Sequence, residues 1–207
     1  RTPLDYLVKV TRLAVDAGVS TINIPDTVGY STPDEMANIV KTLLSEVDGL
    51  CDINLSVHCH DDLGLAVANS LSAVKAGANQ IEGTVLCIGE RAGNADLEEI
   101  IMALKTRGDY FDATTRADSR EIYRTCTLLS SVVGLKIPMN KAIVGRNAFA
   151  HEAGIHQHGV MQARETYEIM NPHDVGIVDN KILIGKHSGK HAFQQFLSDM
   201  GYTFSPD

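Results

Sequence analysis

The sequence predicts an α/β fold built on a parallel sheet, and three observations predict it. A motif repeats: Ala14, Val15, Asp16, Ala17 and Gly18 lead into Ile22, and the same A-V-x-A-G-x-x-x-I pattern returns 59 residues later, where Ala73, Val74, Lys75, Ala76 and Gly77 lead into Ile81. Each copy reads as a helix closed by a glycine at C′ and then a strand, and a third such unit fits between them. Polar residues gather just past the strand ends: Pro25, Asp26 and Thr27, then His58 and His60, then Glu90, Arg91 and Asn94. That is where parallel sheets carry their chemistry, whether closed as a barrel or doubly wound, and periodicity alone does not choose between the two.

Taken in order, helices are expected at about 3–17, 33–47 and 64–76, each followed by a short β-branched run: Thr21 to Ile24, Ile53 to His58 and Gln80 to Leu86. Helices of this length alternating with short buried strands give parallel pairing. A further helical segment runs from Asp96 to Thr106, and Ser119 to Gly134 reads as an amphipathic helix. Gly134 and Pro138 punctuate the chain before Asn140 to Gly145. From Arg146 onward the β content falls, which predicts a small, mainly helical subdomain with one weak strand at Lys181 to Ile184. The layout is therefore 1–145 and 146–207.

Composition narrows the function. A chain of 207 residues that is 44% hydrophobic can bury a real core as one large or two small domains. A formal charge of −8 with no run of five like charges argues against nucleic acid or an anionic membrane as the main partner. Cys51, Cys59, Cys87 and Cys126 form no C-x-x-C pair and read as reduced thiols. No apolar stretch reaches the ~18 residues needed to span a membrane and no signal peptide is visible, so the expected setting is cytoplasmic. The first residue is Arg1 rather than Met, which is what an excised piece would show.

The most informative stretch is Val57, His58, Cys59, His60, Asp61, Asp62. In a strand, residues i and i+2 share a face with Cα atoms ~6.8 Å apart, close enough for both imidazoles to reach one divalent ion. The plainer alternative is that His58 and His60 line a polar rim. Cys59 faces the other way and reads as core. Gly89, Glu90, Arg91, Ala92, Gly93 and Asn94 form a glycine-bounded loop before a helix, where backbone amides favour anionic groups. A tight turn that needs glycines for positive φ is the competing account. His151, Glu152 and His156 are spaced i, i+5, not the i, i+4 of a zincin helix. Gly185 to Lys190 is a basic, glycine-flanked turn without P-loop spacing, so it reads as solvated.

Taken together, Ile24 to Gly29 (IPDTVG), Val57 to Gly64 (VHCHDDLG), Gly89 to Asn94 (GERAGN), Asn140 to Gly145 (NKAIVG) and His151 to Gln157 (HEAGIHQ) resemble the 2-isopropylmalate synthase family over essentially the whole chain. The resemblance implies the C-terminal part of a TIM (β/α)8 barrel, about three βα units, followed by a linker subdomain. It implies condensation of acetyl-CoA with 3-methyl-2-oxobutanoate, in the first committed step of leucine biosynthesis. By the same resemblance His58 and His60 are metal ligands supported by Asn94, and Thr27 contacts the substrate carboxylate. Gly89, Glu90, Arg91 and Gly93 fall to the acyl-CoA, His156 is the catalytic histidine and Tyr167 its partner. The metal is Mn²⁺ or Mg²⁺ in the family, and two imidazoles with oxygen ligands also suit Zn²⁺. The linker subdomain reaches a neighbouring protomer in the family, which implies a homodimer.

The departures are specific. No D-R-E-type segment is present, and by resemblance the chain begins within the helix before strand six. Strands one to five, the aspartate ligand, the adjacent arginine and the catalytic glutamate are then expected to lie outside it, leaving a fragment inactive alone. Leu86 and Cys87 stand where the family commonly carries Asn and Gly. Citramalate and homocitrate synthases share the metal chemistry and remain alternatives, as does a non-catalytic dimerisation module. A hydroxymethylglutaryl-CoA lyase fits less well, because its cysteine-bearing glycine loop has no counterpart.

Overall fold

The computed structural model describes residues 2–150 and 168–178, together with Leu197, Gly201 and Tyr202. The chain divides into two compact units, Arg1–Ala117 and Asp118–Asp207.

The first unit runs α1 (Leu4–Asp16), β1 (Thr21–Asp26), α2 (Pro33–Glu46), β2 (Asn54–Cys59), α3 (Ala66–Ala76), β3 (Gln80–Glu82), α4 (Leu97–Thr106) and a single-turn α5 (Gly108–Phe111). Local chemistry sets the ends of these elements. At the start of α2 the Glu35 carboxylate accepts from both the Thr32 amide (2.8 Å) and its hydroxyl (3.0 Å), with Pro33 following in the first turn. α3 stops at Gly77, φ +117°, whose N–H reaches back to the last turn, and a side chain there would press to within 2.6 Å of Leu44. Asp96 caps α4 by accepting from the Glu99 amide at 3.1 Å.

The three strands form one parallel sheet in the order β1-β2-β3. Ile24 lies opposite Val57 and Pro25 opposite His58, while Val57 lies opposite Ile81 and His58 opposite Glu82. This register sorts the residues by face. Ile22, Ile24, Leu55, Val57, Cys59 and Ile81 join Met36, Val40, Leu43, Ala73 and Ile100 in the core beneath the helices. The opposite face carries Asn23, Ser56, His58, Gln80 and Glu82, cross-linked by Gln80 Nε2 to Ser56 Oγ at 3.2 Å and Asn23 Nδ2 to Glu82 Oε2 at 3.0 Å. Parallel strands buried between two apolar layers read as hydrophobic on both sides. The hydrogen-bonded polar face here departs from that pattern. The sheet is open among the described residues, so the architecture shown is a partial, barrel-like (β/α) region.

Two details differ from the sequence reading. β3 ends at Glu82 rather than Leu86, because Gly83 runs against Ala95, where a side chain would come within 2.6 Å of the Ala95 carbonyl. Thr84 then exchanges hydrogen bonds with Ala95 and Leu97, which turns the chain aside. The α5 turn was not legible, since it is held by Phe111 and Asp112 amides closing on Arg107 and Gly108.

The second unit, as far as it is described, holds α6 (Ile122–Val133), which ends at Gly134 with φ +70°. A 3-10 turn at Ser119–Glu121 precedes it and another spans Pro172–Val175. Ser119 Oγ donates to the Asp174 carbonyl, and Gly176 leaves the room that lets Arg120 lie against it. The expected strand at Lys181 to Ile184 and the turn at Gly185 to Lys190 lie outside the described residues.

Candidate active site at the ends of the parallel strands

His58 is the next-to-last residue of β2 and His60 follows its end, so the strand presents both rings on one side with centroids 5.2 Å apart. His60 forms an antiparallel bridge with Asn94, delivered from beyond β3. The Asn94 side chain donates through Nδ2 to the Ile88 carbonyl at 2.9 Å, which fixes the amide and leaves Oδ1 as its spare acceptor. Asn94 is only 7% exposed. Its Oδ1 and the Nδ1 of His60 are buried without a hydrogen-bond partner. Buried polar atoms are nearly always partnered, so two orphans on adjoining residues require an explanation. Both are atoms that bind cations, and an imidazole pair with an amide oxygen fits a divalent ion of the Mn²⁺ or Zn²⁺ type. Among the described residues no three His, Cys, Asp or Glu side chains converge on a metal position. The donor set here is therefore partial.

The loop that carries Asn94 is strained. Leu86, Cys87 and Arg91 have φ of +56°, +58° and +55°, a region that costs about 1–2 kcal/mol for a residue with a Cβ. Compensation comes from neighbours. The fully buried Glu98 accepts from the Leu86 amide through both carboxylate oxygens, at 3.0 and 3.2 Å. The Cys87 thiol donates to the Asn94 carbonyl at 2.8 Å, and the Asn94 amide returns to the Cys87 carbonyl at 3.2 Å. Gly93 and Gly89 are required by contact as well as torsion. A Cβ on Gly93 would overlap the Cys87 carbonyl oxygen, and one on Gly89 would overlap the Asn94 amide. Strain held in place by its surroundings clusters at functional sites. Leu86 and Cys87, the departures noted in the sequence, are both among the strained residues of this turn.

Arg91 joins three strand-end loops. Its Nε and Nη2 donate to the Asp62 carboxylate at 2.8 and 3.1 Å, and Nη2 also donates to the Thr27 carbonyl at 2.7 Å. The hydrogen bond from Arg91 lowers the Asp62 carboxyl below the ordinary carboxylate range. Gly29 admits this carboxylate, since a side chain there would come within 2.8 Å of the Asp62 amide nitrogen. The buried Asp26 shapes the same loop by accepting from the amides of Tyr30 and Ser31 at 3.2 and 2.9 Å. Thr27 opens onto a cavity of about 540 Å³ lined also by Pro25, Tyr30, Ser31 and Glu35, beside the exposed edge of β1. His58, His60 and Asn94 do not line that cavity.

The structure thus brings His58, His60 and Asn94 together and ties Thr27 to Arg91. His156 and Tyr167 lie outside the described residues. Cys59 is core, and burial pushes its thiol up to about 11. Sequence reasoning placed Asp62 in the informative stretch without giving it a role, and it missed Glu82 and Glu98. Glu82 was recoverable, since period-2 alternation puts it on the face of Gln80 and parallel pairing puts it beside His58. The Glu98 contact arises from a turn that no local pattern announced.

Comparison with known proteins identifies the family. The HMGL-like family profile matches residues 1–129, and a profile described as homocitrate synthase post-HMGL domain-like matches residues 143–207. A 2-isopropylmalate synthase of Pelotomaculum thermopropionicum is 54% identical over the whole chain, and one of Pyrococcus abyssi is 53% identical. The chain spans 41% and 43% of the length of these two relatives. Among solved structures, an HMG-CoA lyase of Bacillus subtilis superposes with a TM-score of 0.57 at 21% identity, covering 67% of this chain and 46% of that one. The carboxyl transferase domain of Rhizobium etli pyruvate carboxylase gives 0.53 at 22% identity, over 64% of this chain and 21% of that one. The likeness in structure is one of fold alone. With more than half of its residues matched by the profile, and with relatives at 52–55% identity that are 2-isopropylmalate synthases, the chain belongs to the HMGL-like family.

Proposed function

We propose that this chain supplies the metal-binding part of a 2-isopropylmalate synthase. The reaction is the Claisen-type condensation of acetyl-CoA, 3-methyl-2-oxobutanoate and water to 2-isopropylmalate and CoA. The observation that carries the reading is the pair of orphaned buried atoms, His60 Nδ1 and Asn94 Oδ1, beside His58 at the strand ends. His58, His60 and Asn94 hold the divalent cation, and a cation there supplies Lewis acidity toward the ketone oxygen of a 2-oxo acid. Thr27 contacts the substrate carboxylate. The loop of Gly89, Glu90, Arg91 and Gly93 faces acetyl-CoA, its shape kept by the Arg91–Asp62 pair. His156, with Tyr167 as its partner, takes the proton from the acetyl methyl group, a weak carbon acid that needs a positioned base. The enzyme works in the cytoplasm as a homodimer, with 1–145 as the barrel part and 146–207 as the linker subdomain. Among the described residues no helix is long and apolar enough to cross a membrane.

The homocitrate synthase profile over residues 143–207 keeps one second reading in view, condensation onto 2-oxoglutarate. Turnover on 3-methyl-2-oxobutanoate, pyruvate and 2-oxoglutarate by a protein of the relatives' full length separates the readings. The metal reading is tested on this chain by isothermal titration with Mn²⁺ against the His58→Ala variant. Saturable binding that the substitution abolishes supports it. Equal heats from both chains overturn it.

A further inference from the structure

His58 and His60 differ in one respect that their i, i+2 spacing does not explain. Nδ1 of His58 lies 3.3 Å from Glu82 Oε2, the two side chains being 27% and 44% exposed. The same oxygen accepts from Asn23 Nδ2 at 3.0 Å. Two strands, β1 and β2, therefore each place a side chain on one carboxylate oxygen supplied by β3. The arrangement belongs to the sheet: His58 is opposite Glu82 in the β2–β3 ladder, and Asn23 of β1 is opposite Ser56 of β2, two residues before His58 on the same face. His60 Nδ1, by contrast, is buried with no partner.

We propose that Glu82, steadied by Asn23, is a positioning residue that selects the Nδ1–H tautomer of His58 and keeps its Nε2 lone pair for the divalent cation. The inference rests on the reading of His58 as a metal ligand. A carboxylate only accepts hydrogen bonds, and a neutral imidazole has one N–H, so the proton belongs on the nitrogen that faces Glu82. A histidine ligand whose other nitrogen donates to a carboxylate is held in ring orientation and becomes more basic at the metal. Asn23 keeps the carboxylate turned toward β2, so Glu82 stands behind His58 and acts through it. No such partner acts on His60 Nδ1, which makes His60 an internal control.

The test combines two readouts on the full chain and on Glu82→Gln and Glu82→Ala. Long-range proton–nitrogen correlation spectra of the metal-free chain, at about pH 8, above the reference imidazole value, report the tautomer of each ring. Isothermal titration with Mn²⁺ reports affinity. The proposal expects His58 protonated on Nδ1, a shift of that tautomer in Glu82→Ala and a smaller one in Glu82→Gln, whose amide oxygen still accepts, with His60 unchanged, and a loss of Mn²⁺ affinity of about 10-fold or more in Glu82→Ala. Glu82 is half-exposed, so both variants should fold, and circular dichroism verifies it. A His58 proton on Nε2 in the unmodified chain would overturn the proposal. So would an unaltered tautomer or unaltered affinity in Glu82→Ala. An unmodified chain that binds no Mn²⁺ while keeping the Nδ1–H tautomer would sink the metal reading itself, and with it the purpose assigned to Glu82.

Discussion

Replacing Gly93 with alanine should be among the most damaging small substitutions in the first unit. Gly93 is buried with φ +94°, and its added Cβ would overlap the Cys87 carbonyl oxygen and stand 2.9 Å from Cys87 Sγ. Left-handed torsion alone costs an alanine about 1–2 kcal/mol. The collision is with backbone, so relief requires the 86–94 turn to move. Two hydrogen bonds lie in its path: Asn94 N to Cys87 O at 3.2 Å and Asp61 N to Gly93 O at 3.0 Å. Each contributes about 0.5–1.5 kcal/mol net, so the total loss is about 3–4 kcal/mol. Gly64 is the control, with φ +70° and open space for 4 Å around an added methyl group, so Gly64→Ala should lose only about 1 kcal/mol. With a urea slope of about 2 kcal/mol/M, the midpoint should fall by about 1.5 M for Gly93→Ala and about 0.5 M for Gly64→Ala. Hydrogen exchange would locate the effect, the Asp61 and Asn94 amides losing protection first. Equal midpoint shifts for the two variants would refute the steric reasoning.

Other perturbations have equally definite outcomes. Arg91→Gln should loosen the three strand-end loops, and the stability gap between it and the parent should depend on pH. Asp62 is depressed by Arg91, so the gap is full above the unfolded carboxyl value of about 3.9 and closes as pH falls below it; a constant gap between pH ~2 and ~6 would count against the pair. Thr32→Ala removes the hydroxyl that donates to Glu35, and thermal unfolding should register a loss of about 1 kcal/mol. Iodoacetamide at about pH 8 should label the exposed Cys51 while sparing Cys59 and Cys126, both buried, and peptide mapping reads the sites directly.

The parts of the fold legible in sequence were those with a short-range cause. Thr32, Pro33 and Glu35 announce a helix start, Gly77 announces an end, and alternation through Leu55, Val57 and Cys59 announces the buried face of β2. The i, i+2 spacing of His58 and His60 fixes their shared side for the same reason. What was not legible was set at longer range. β3 looks extended through Leu86 because Val85 and Leu86 favour strands, yet Ala95 passing beside Gly83 and Glu98 reaching the Leu86 amide turn it away. The Asp62–Arg91 pair spans 29 residues and depends on a left-handed torsion at Arg91 that nothing local predicts.

That division bears on how the site is kept in shape. Thr27, His58 and Asn94 each sit at a strand end and are held from a neighbouring βα unit: Thr27 through Arg91, Asn94 through its bridge to His60, His58 through Glu82 and Asn23. A parallel sheet makes this economical in sequence, because its register aligns equivalent positions of successive βα units and brings their loops to one edge. Side chains from separate loops then fix one another, and none needs a rigid loop of its own. The consequence is coupling. Disturbing Arg91 should be felt at Thr27, and disturbing Gly93 at Asn94 and Asp61, whereas a methyl group added at Gly64 meets open space. Pairs that share a contact should be non-additive in double-mutant cycles by about 0.5 kcal/mol or more.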